Sequence, residues 1–60
     1  MKNEMFAVEI DHHRGGRVFA MQGGWTTTNV KQAFRRKSRQ TVEQFAKLFQ
    51  GKNPSVVSVA

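Results

Sequence analysis

The glycine pair Gly15-Gly16 divides the first third of this 60-residue chain into two segments with the pattern of β-strands. In residues 5–12, Phe6, Val8 and Ile10 alternate with small or acidic residues, which is the period of a strand with one buried face. Residues 17–22 form a second short segment of this kind. A glycine pair between two such segments predicts a β-hairpin with a two-residue turn.

The predicted turn implies a register in which Arg14 lies opposite Arg17 and Ile10 opposite Met21. Directly opposed residues share a face of the sheet. One face then collects the large apolar side chains, namely Phe6, Val8, Ile10, Phe19, Met21 and Trp25. The other face carries Glu9 and Asp11. We therefore expect one core-facing surface on the hairpin, with Trp25 packed in the core. The alternative for Trp25 is an exposed residue that anchors a partner or stacks on a base.

Residues 25–50 contain neither Gly nor Pro, and their apolar residues recur at helical spacing. Apolar residues are missing from 36–40, so we favour two helices, 28–37 and 39–50, over one long helix. Ser38 is the expected N-cap of the second helix. Gly51 and the following Asn-Pro pair predict its end.

The last residues, from Ser55 to Ala60, are rich in valine and predict a third strand. Such a strand is expected to pair within the sheet or with a second copy in a homodimer. We therefore predict a single small α+β domain over residues 1–60, in the order β-β-α(α)-β, with the helices packed on one face of a small sheet.

Charge is distributed unevenly along the chain. The formal net charge is +6, but residues 1–11 have a net charge of −2 and residues 12–60 a net charge of +8. A dense group of cations without an intervening acid suggests an anionic partner. It consists of Lys31, Arg35, Arg36, Lys37 and Arg39. On a continuous helix, the spacing of Lys31, Arg35 and Arg39 would form a basic ridge suited to successive phosphates.

The hairpin tip adds Arg14 and Arg17 on either side of the glycine pair. These two side chains are expected to assist contact with an anionic partner. The carboxylates of Glu9 and Asp11 would repel phosphates, so this face of the sheet is expected to point away from nucleic acid.

The sequence offers little for catalysis, metal binding or a cofactor. Small endoribonucleases need a His or Glu base beside Arg or Lys, and His12 or His13 could serve, but a turn tip excludes little water. His12 and His13 are adjacent on a strand and point to opposite faces, so they do not chelate one ion together. Glu9, Asp11 and His13 share a face and would bind a metal only weakly. We expect no enzyme activity, no metal and no cofactor.

The absence of cysteine excludes disulfides and thiolate chemistry and fits a reducing, cytoplasmic location. No apolar segment is long enough to span a membrane. The leading hypothesis is a small non-enzymatic module that binds the DNA or RNA backbone, of the kind that phages and mobile elements encode as regulators. The alternative is a protein-interaction module, such as an inhibitor or adaptor, that binds an acidic surface of a larger protein.

Overall fold

A single strand, β1 (Met5–Asp11), pairs on both of its edges and organises the sheet. The structure is a computed structural model that describes residues 4–59. The remaining strands are β2 (Arg17–Ala20), β3 (Thr26–Thr27), β4 (Arg35–Arg36) and β5 (Ser55–Val59), and the α-helix is α1 (Arg39–Ala46). Short 3₁₀ helices occupy Val30–Gln32 and Lys47–Lys52. The prediction of a small α+β domain is confirmed.

All strand pairs are antiparallel. Glu9 pairs with both Phe19 of β2 and Ser55 of β5, so β2 and β5 lie on opposite edges of β1. Phe6 pairs with both Arg36 of β4 and Ser58 of β5, so β4 shares the β2 edge. The C-terminal strand therefore pairs within the sheet, which is the first of the two arrangements predicted for it. Ala60 lies outside the described residues.

The first hairpin forms where the glycine pair predicts it, but its predicted register is wrong. Its loop has three residues rather than two, because His12 N–H donates to the Gly16 carbonyl (3.0 Å) and Gly15 N–H donates to the His12 carbonyl (2.9 Å). Gly15 and Gly16 have φ of 96° and 73°, values that favour glycine. Arg17 consequently lies opposite Asp11 instead of Arg14. This register replaces two opposed cations with an opposed ion pair.

The change of register also changes which side chains enter the core. Val18 and Ala20 are buried beside Ile10 on the helix-covered face. Phe19 lies opposite Glu9 on the outer face and is only half-buried. The predicted core places for Phe19 and Met21 are therefore wrong.

A second hairpin, joining β2 to β3, was not predicted from the sequence. Its loop repeats the first one: Met21 N–H donates to the Trp25 carbonyl (2.7 Å) and Gly24 N–H to the Met21 carbonyl (3.3 Å). Thr26 and Thr27 then pair with β2. Backbone pairing with Phe19 and Ala20 makes these threonines strand residues, directly before the start of the predicted helix 28–37.

The predicted helix over 28–37 is wrong. Asn29 accepts a hydrogen bond from Lys31 N–H (3.0 Å) and caps only one 3₁₀ turn, which ends because Ala33 is extended (φ −72°, ψ 158°). Arg35 and Arg36 then pair with Ala7 and Phe6 of β1. These two residues complete the edge of β1 that β2 leaves unpaired.

The second predicted helix, 39–50, is present as α1 and the 3₁₀ helix that continues it to Lys52. The predicted cap is confirmed, because Ser38 Oγ accepts from Thr41 N–H at 3.3 Å. The helical segment ends at Asn53, whose φ of 55° is left-handed. Pro54 follows and leads directly into β5.

One helix-covered face of the sheet holds the core. Its buried side chains come from β1, β2 and α1, namely Val8, Ile10, Val18, Ala20, Val42 and Ala46. Partly buried aromatic rings surround them, and Phe34 stacks on Phe45 with centroids 4.1 Å apart. Phe49 meets Phe45 edge-on at 5.3 Å. The core is thus a single thin layer between the sheet and α1.

Loss of the Ser38 cap should destabilise the domain by about 1 kcal/mol, because the first turn of α1 would lose a side-chain acceptor. Urea unfolding of Ser38→Ala, followed by circular dichroism, measures this change. Ser38→Asp is the matched control, since it keeps an acceptor oxygen and should unfold near the wild-type midpoint. Equal stabilities for Ser38→Ala and the wild type would contradict the assigned cap.

Candidate functional site

Arg17 of the hairpin connects three strands through its guanidinium group. Nε and Nη1 donate to the carboxylates of Glu9 (3.2 Å) and Asp11 (2.7 Å). Nη2 donates to the Glu9 carbonyl (2.8 Å) and to Ser55 Oγ (3.0 Å) in β5. This side chain is 28% exposed, so a predicted contact residue is engaged within the sheet.

The hydrogen bond to Asp11 is the main reason that the pKa of Arg17 is raised above its ordinary value, with Glu9 adding to the effect. A raised pKa means that the stabilising contribution is fully present below the ordinary value and is lost only as pH rises beyond the folded value. Arg17 therefore stays cationic and paired throughout the neutral range.

Arg14 lies at the tip of the first hairpin, exposed to solvent. The tip follows the C-terminal end of β1, whereas Arg36 pairs with Phe6 near the N-terminal end. Between Phe6 and His12 a strand spans about 20 Å. Arg14 is therefore separated by most of the length of the sheet from the predicted cations within residues 31–39.

The remaining predicted cations lie close together, but not as a helical ridge. We define the basic segment as residues 31–39, which runs from the first 3₁₀ turn through β4 to the first residue of α1. Alternation along β4 sends Arg36 to the helix-covered face with Phe6, and Arg35 to the outer face with Ala7. The predicted ridge of Lys31, Arg35 and Arg39 is consequently absent.

Two arginines of the basic segment rest on aromatic rings. The guanidinium carbon of Arg36 lies 4.3 Å from the Phe34 ring centroid, and that of Arg39 lies 5.7 Å from the Phe6 centroid. Cation–π contact of this kind holds a guanidinium in place while its other face stays open. Both arginine residues are exposed to solvent.

The positions of the carboxylates determine how much of the positive charge of the basic segment is neutralised. Glu9 and Asp11 pair with Arg17, and Glu43 pairs with Arg39 (3.0 Å). The fourth acidic side chain, Glu4, accepts a hydrogen bond from the Ser58 hydroxyl (2.5 Å). Within residues 4–59, no carboxylate forms an ion pair with the cations of the segment that precede Arg39, namely Lys31, Arg35, Arg36 and Lys37.

The start of α1 adds to this positive field. The first turn of the helix holds no acidic residue, and its first residue is Arg39. Helix N-termini carry a partial positive charge, so a cation there is unfavourable by about 0.3–1 kcal/mol. The fold thus tolerates an accumulation of positive charge where the basic segment meets the helix.

The histidines lie apart from the basic segment. The rings of His12 and His13 are in contact, with centroids 4.3 Å apart, and His12 Nδ1 accepts from the Arg14 backbone N–H (3.2 Å). With Asp11, Gly51 and Lys52 they line an open depression. No group of three potential metal ligands occurs within residues 4–59.

Trp25 is exposed, and its predicted place in the core is wrong. It closes the loop of the second hairpin, and it is 73% exposed. Leu48, on the second 3₁₀ helix, is 75% exposed. The second glycine pair was the sequence signal for this loop, since it stands between Met21 and Trp25 much as the first pair stands between two strands.

No family model, curated protein or solved structure matches this chain. Across the described part of the chain, no helix has the length and apolar character needed to cross a membrane.

Replacing Arg17 with glutamine should lower the melting temperature by several degrees, because Glu9 and Asp11 would lose their counter-ion and β5 a side-chain bond. Arg14→Gln makes the same charge change at the exposed loop tip and should melt close to the wild type. Thermal unfolding by circular dichroism compares the two variants. Equal melting temperatures would rule out the structural role assigned to Arg17.

The fluorescence of Trp25, the sole tryptophan of the chain, should match that of N-acetyltryptophanamide in water, because its ring is surrounded mostly by solvent. Acrylamide should quench it in the native protein almost as efficiently as in urea. A blue-shifted native emission that resists quenching would instead place the ring in the core.

Proposed function

We propose that this protein is a small non-enzymatic module that binds nucleic acid through the sugar-phosphate backbone. The single observation that carries the proposal is the absence of a paired carboxylate for the basic segment before Arg39, within residues 4–59. Four cations fall within residues 31–37, and all four Asp and Glu side chains of the chain are engaged elsewhere. A polyanion would supply the missing countercharge.

The geometry of the basic segment supports contact with phosphates more than with bases. Arg36 presents an exposed guanidinium steadied by the Phe34 ring, which suits contact with a phosphate. Arg39 is steadied by the Phe6 ring but already donates Nε to Glu43, so it would contribute only through its remaining N–H groups. Lys31 and Lys37 are exposed, and their flexible side chains add positive charge that can adjust to the position of a phosphate. Contacts of this kind position a protein on nucleic acid without reading its sequence.

The other predicted contact residues enter the proposal differently. Arg14 lies at the far end of the sheet and would reach a phosphate only on a ligand that extends along the molecule. Arg17 is left out of the contact set because it holds Glu9 and Asp11. The outer face around Arg17 holds two carboxylates against one cation, so this part of the sheet offers little positive potential to a polyanion.

The proposal assigns no catalytic step. His12 and His13 lie about 20 Å along β1 from the basic segment, in an open depression that would not exclude water from a reacting phosphate. The same proposal includes a cytoplasmic location and a regulatory role of the kind found in phages and mobile elements, on the grounds of small size, basic charge and the lack of cysteine.

A second candidate function is binding to an acidic protein surface, as an inhibitor or adaptor would. The observation that favours it is the exposure of Trp25 and Leu48, since large exposed apolar residues often anchor protein interfaces. Pull-down from lysate with and without nuclease separates the candidates. The nucleic-acid proposal predicts that nuclease removes the bound material, and retained protein would favour the alternative.

Fluorescence anisotropy with labelled duplex DNA, single-stranded DNA and structured RNA tests the leading proposal. Affinity for at least one of them should fall by about 100-fold between about 50 and 200 mM salt, because binding at several phosphates releases their counter-ions. Absence of binding to all three at low salt would refute the proposal.

Charge-matched double variants locate the contact surface. Lys31→Gln with Lys37→Gln should weaken binding and reduce the salt slope by about two, because each lost phosphate contact removes about 0.9 from it. Lys47→Gln with Lys52→Gln removes the same charge from the other end of the helical segment and is the control. Equal losses in the two double variants would mean that net charge, rather than the basic segment, governs binding.

A further inference from the structure

The outer edge of β5 is a second surface, besides the basic segment, that lacks a partner within the described residues. Within the described sheet, Ser55–Val59 pairs only with β1, so its other edge has no neighbouring strand. The strand carries no charge, no glycine and no proline, the features with which proteins usually protect an edge. It is instead a template for another strand of high β-propensity.

The backbone groups that face this open edge follow from the pairing of β1. His12 N–H donates to Gly16, so even-numbered residues of β1 direct their backbone groups toward β2 and odd-numbered ones toward β5. Ala7, which pairs with Val57, therefore bonds across to β5. In β5 the odd-numbered residues face β1, and Val56 and Ser58 present their N–H and C=O groups outward.

This outward pattern is self-complementary about Val57. If a second β5 runs antiparallel with the two-fold axis at Val57, then Val56 pairs with the partner's Ser58 and Ser58 with the partner's Val56. Each is a hydrogen-bonded pair that exchanges two bonds, so all outward groups of Val56 and Ser58 are satisfied. An axis at Val56 would place Pro54, which has no N–H, opposite Ser58.

The side chains agree with this register. On the outer face, Val57 lies opposite its own copy and Val59 opposite the partner's Ser55, which gives apolar contact with no charged group in either strand. On the helix-covered face, Val56 already packs against the core. The basic segment lies beyond β1, about 10 Å from β5 at ordinary strand spacing, so the basic segments of two copies do not meet.

We propose that two copies of this chain associate through antiparallel pairing of their β5 edges, centred on Val57, so that the two sheets join into one. The occupant is a second copy because Ser55–Val59 matches itself in length, polarity and hydrogen-bond register. This inference does not depend on nucleic-acid binding.

The contact is small, because it consists of one strand pair and a few valine side chains. Interfaces of this size sit at the weak end of specific association. We therefore expect reversible dimerisation in the micromolar to millimolar range, strengthened by added salt, which screens the +6 charge of each copy.

Single cysteines introduced into this cysteine-free chain test the register directly. Val57→Cys should form a disulfide-linked dimer under mild oxidation, because opposed residues of a non-hydrogen-bonded pair have Cα atoms about 4.5 Å apart. Val59→Cys is the matched control: two copies of residue 59 lie about 13 Å apart in this register and should cross-link poorly. A mixture of the Ser55→Cys and Val59→Cys proteins should form the mixed dimer.

Cross-linking of Val59→Cys as readily as Val57→Cys would overturn the proposed register. Sedimentation of the wild-type chain provides the readout without cysteine, and a monomer at every concentration up to about 1 mM would overturn the dimer itself. In the same assay, Ser58→Pro should abolish association, because it removes an outward backbone N–H in addition to the hydroxyl that bonds Glu4. Ser58→Ala keeps that N–H and should still dimerise.

Discussion

The four hydrogen bonds of the Arg17 guanidinium determine much of this structure. They stabilise the register of the first hairpin, in which Arg17 lies opposite Asp11 and within reach of Glu9. They also connect the hairpin to β5 through Ser55. The core of this domain is one thin layer with few apolar side chains. The polar contacts of Arg17 across three strands therefore help to hold the sheet together.

The same interaction separates the charges of the molecule. Arg17 takes two of the four carboxylates, Arg39 takes Glu43, and Glu4 bonds to Ser58. Little negative charge is left to neutralise the basic segment, which lies across the edge of β1 and the start of α1. The pairing of these carboxylates therefore has two consequences. It stabilises the sheet, and it leaves the basic segment with the positive charge that is proposed to attract polyanions.

Much of the fold followed from local sequence signals, and the errors occurred where distant contacts decided the outcome. β1, β5, the first glycine turn and the Ser38 cap were predictable, since alternation and capping act within a few residues. Lys31, Arg35 and Arg39 have helical spacing, but β1 needed a partner at Phe6 and Ala7, and Arg35 and Arg36 became that strand. A glycine pair signals a turn without fixing its length, and the second hairpin adopts the same three-residue loop where the paired residues are uncharged. The density of cations was visible in the sequence, whereas their grouping at one end of the sheet was not.

The central claim is that the basic segment, and not the outer sheet face, meets nucleic acid. Titration of the isotopically labelled protein with an unlabelled oligonucleotide, followed by amide chemical shifts at low salt, tests it most directly. Shifts should concentrate in residues 31–39, with the amides of Glu9, Asp11 and Arg17 nearly unchanged. Shifts centred on Glu9, Asp11 and Arg17, or no shifts at all, would contradict it.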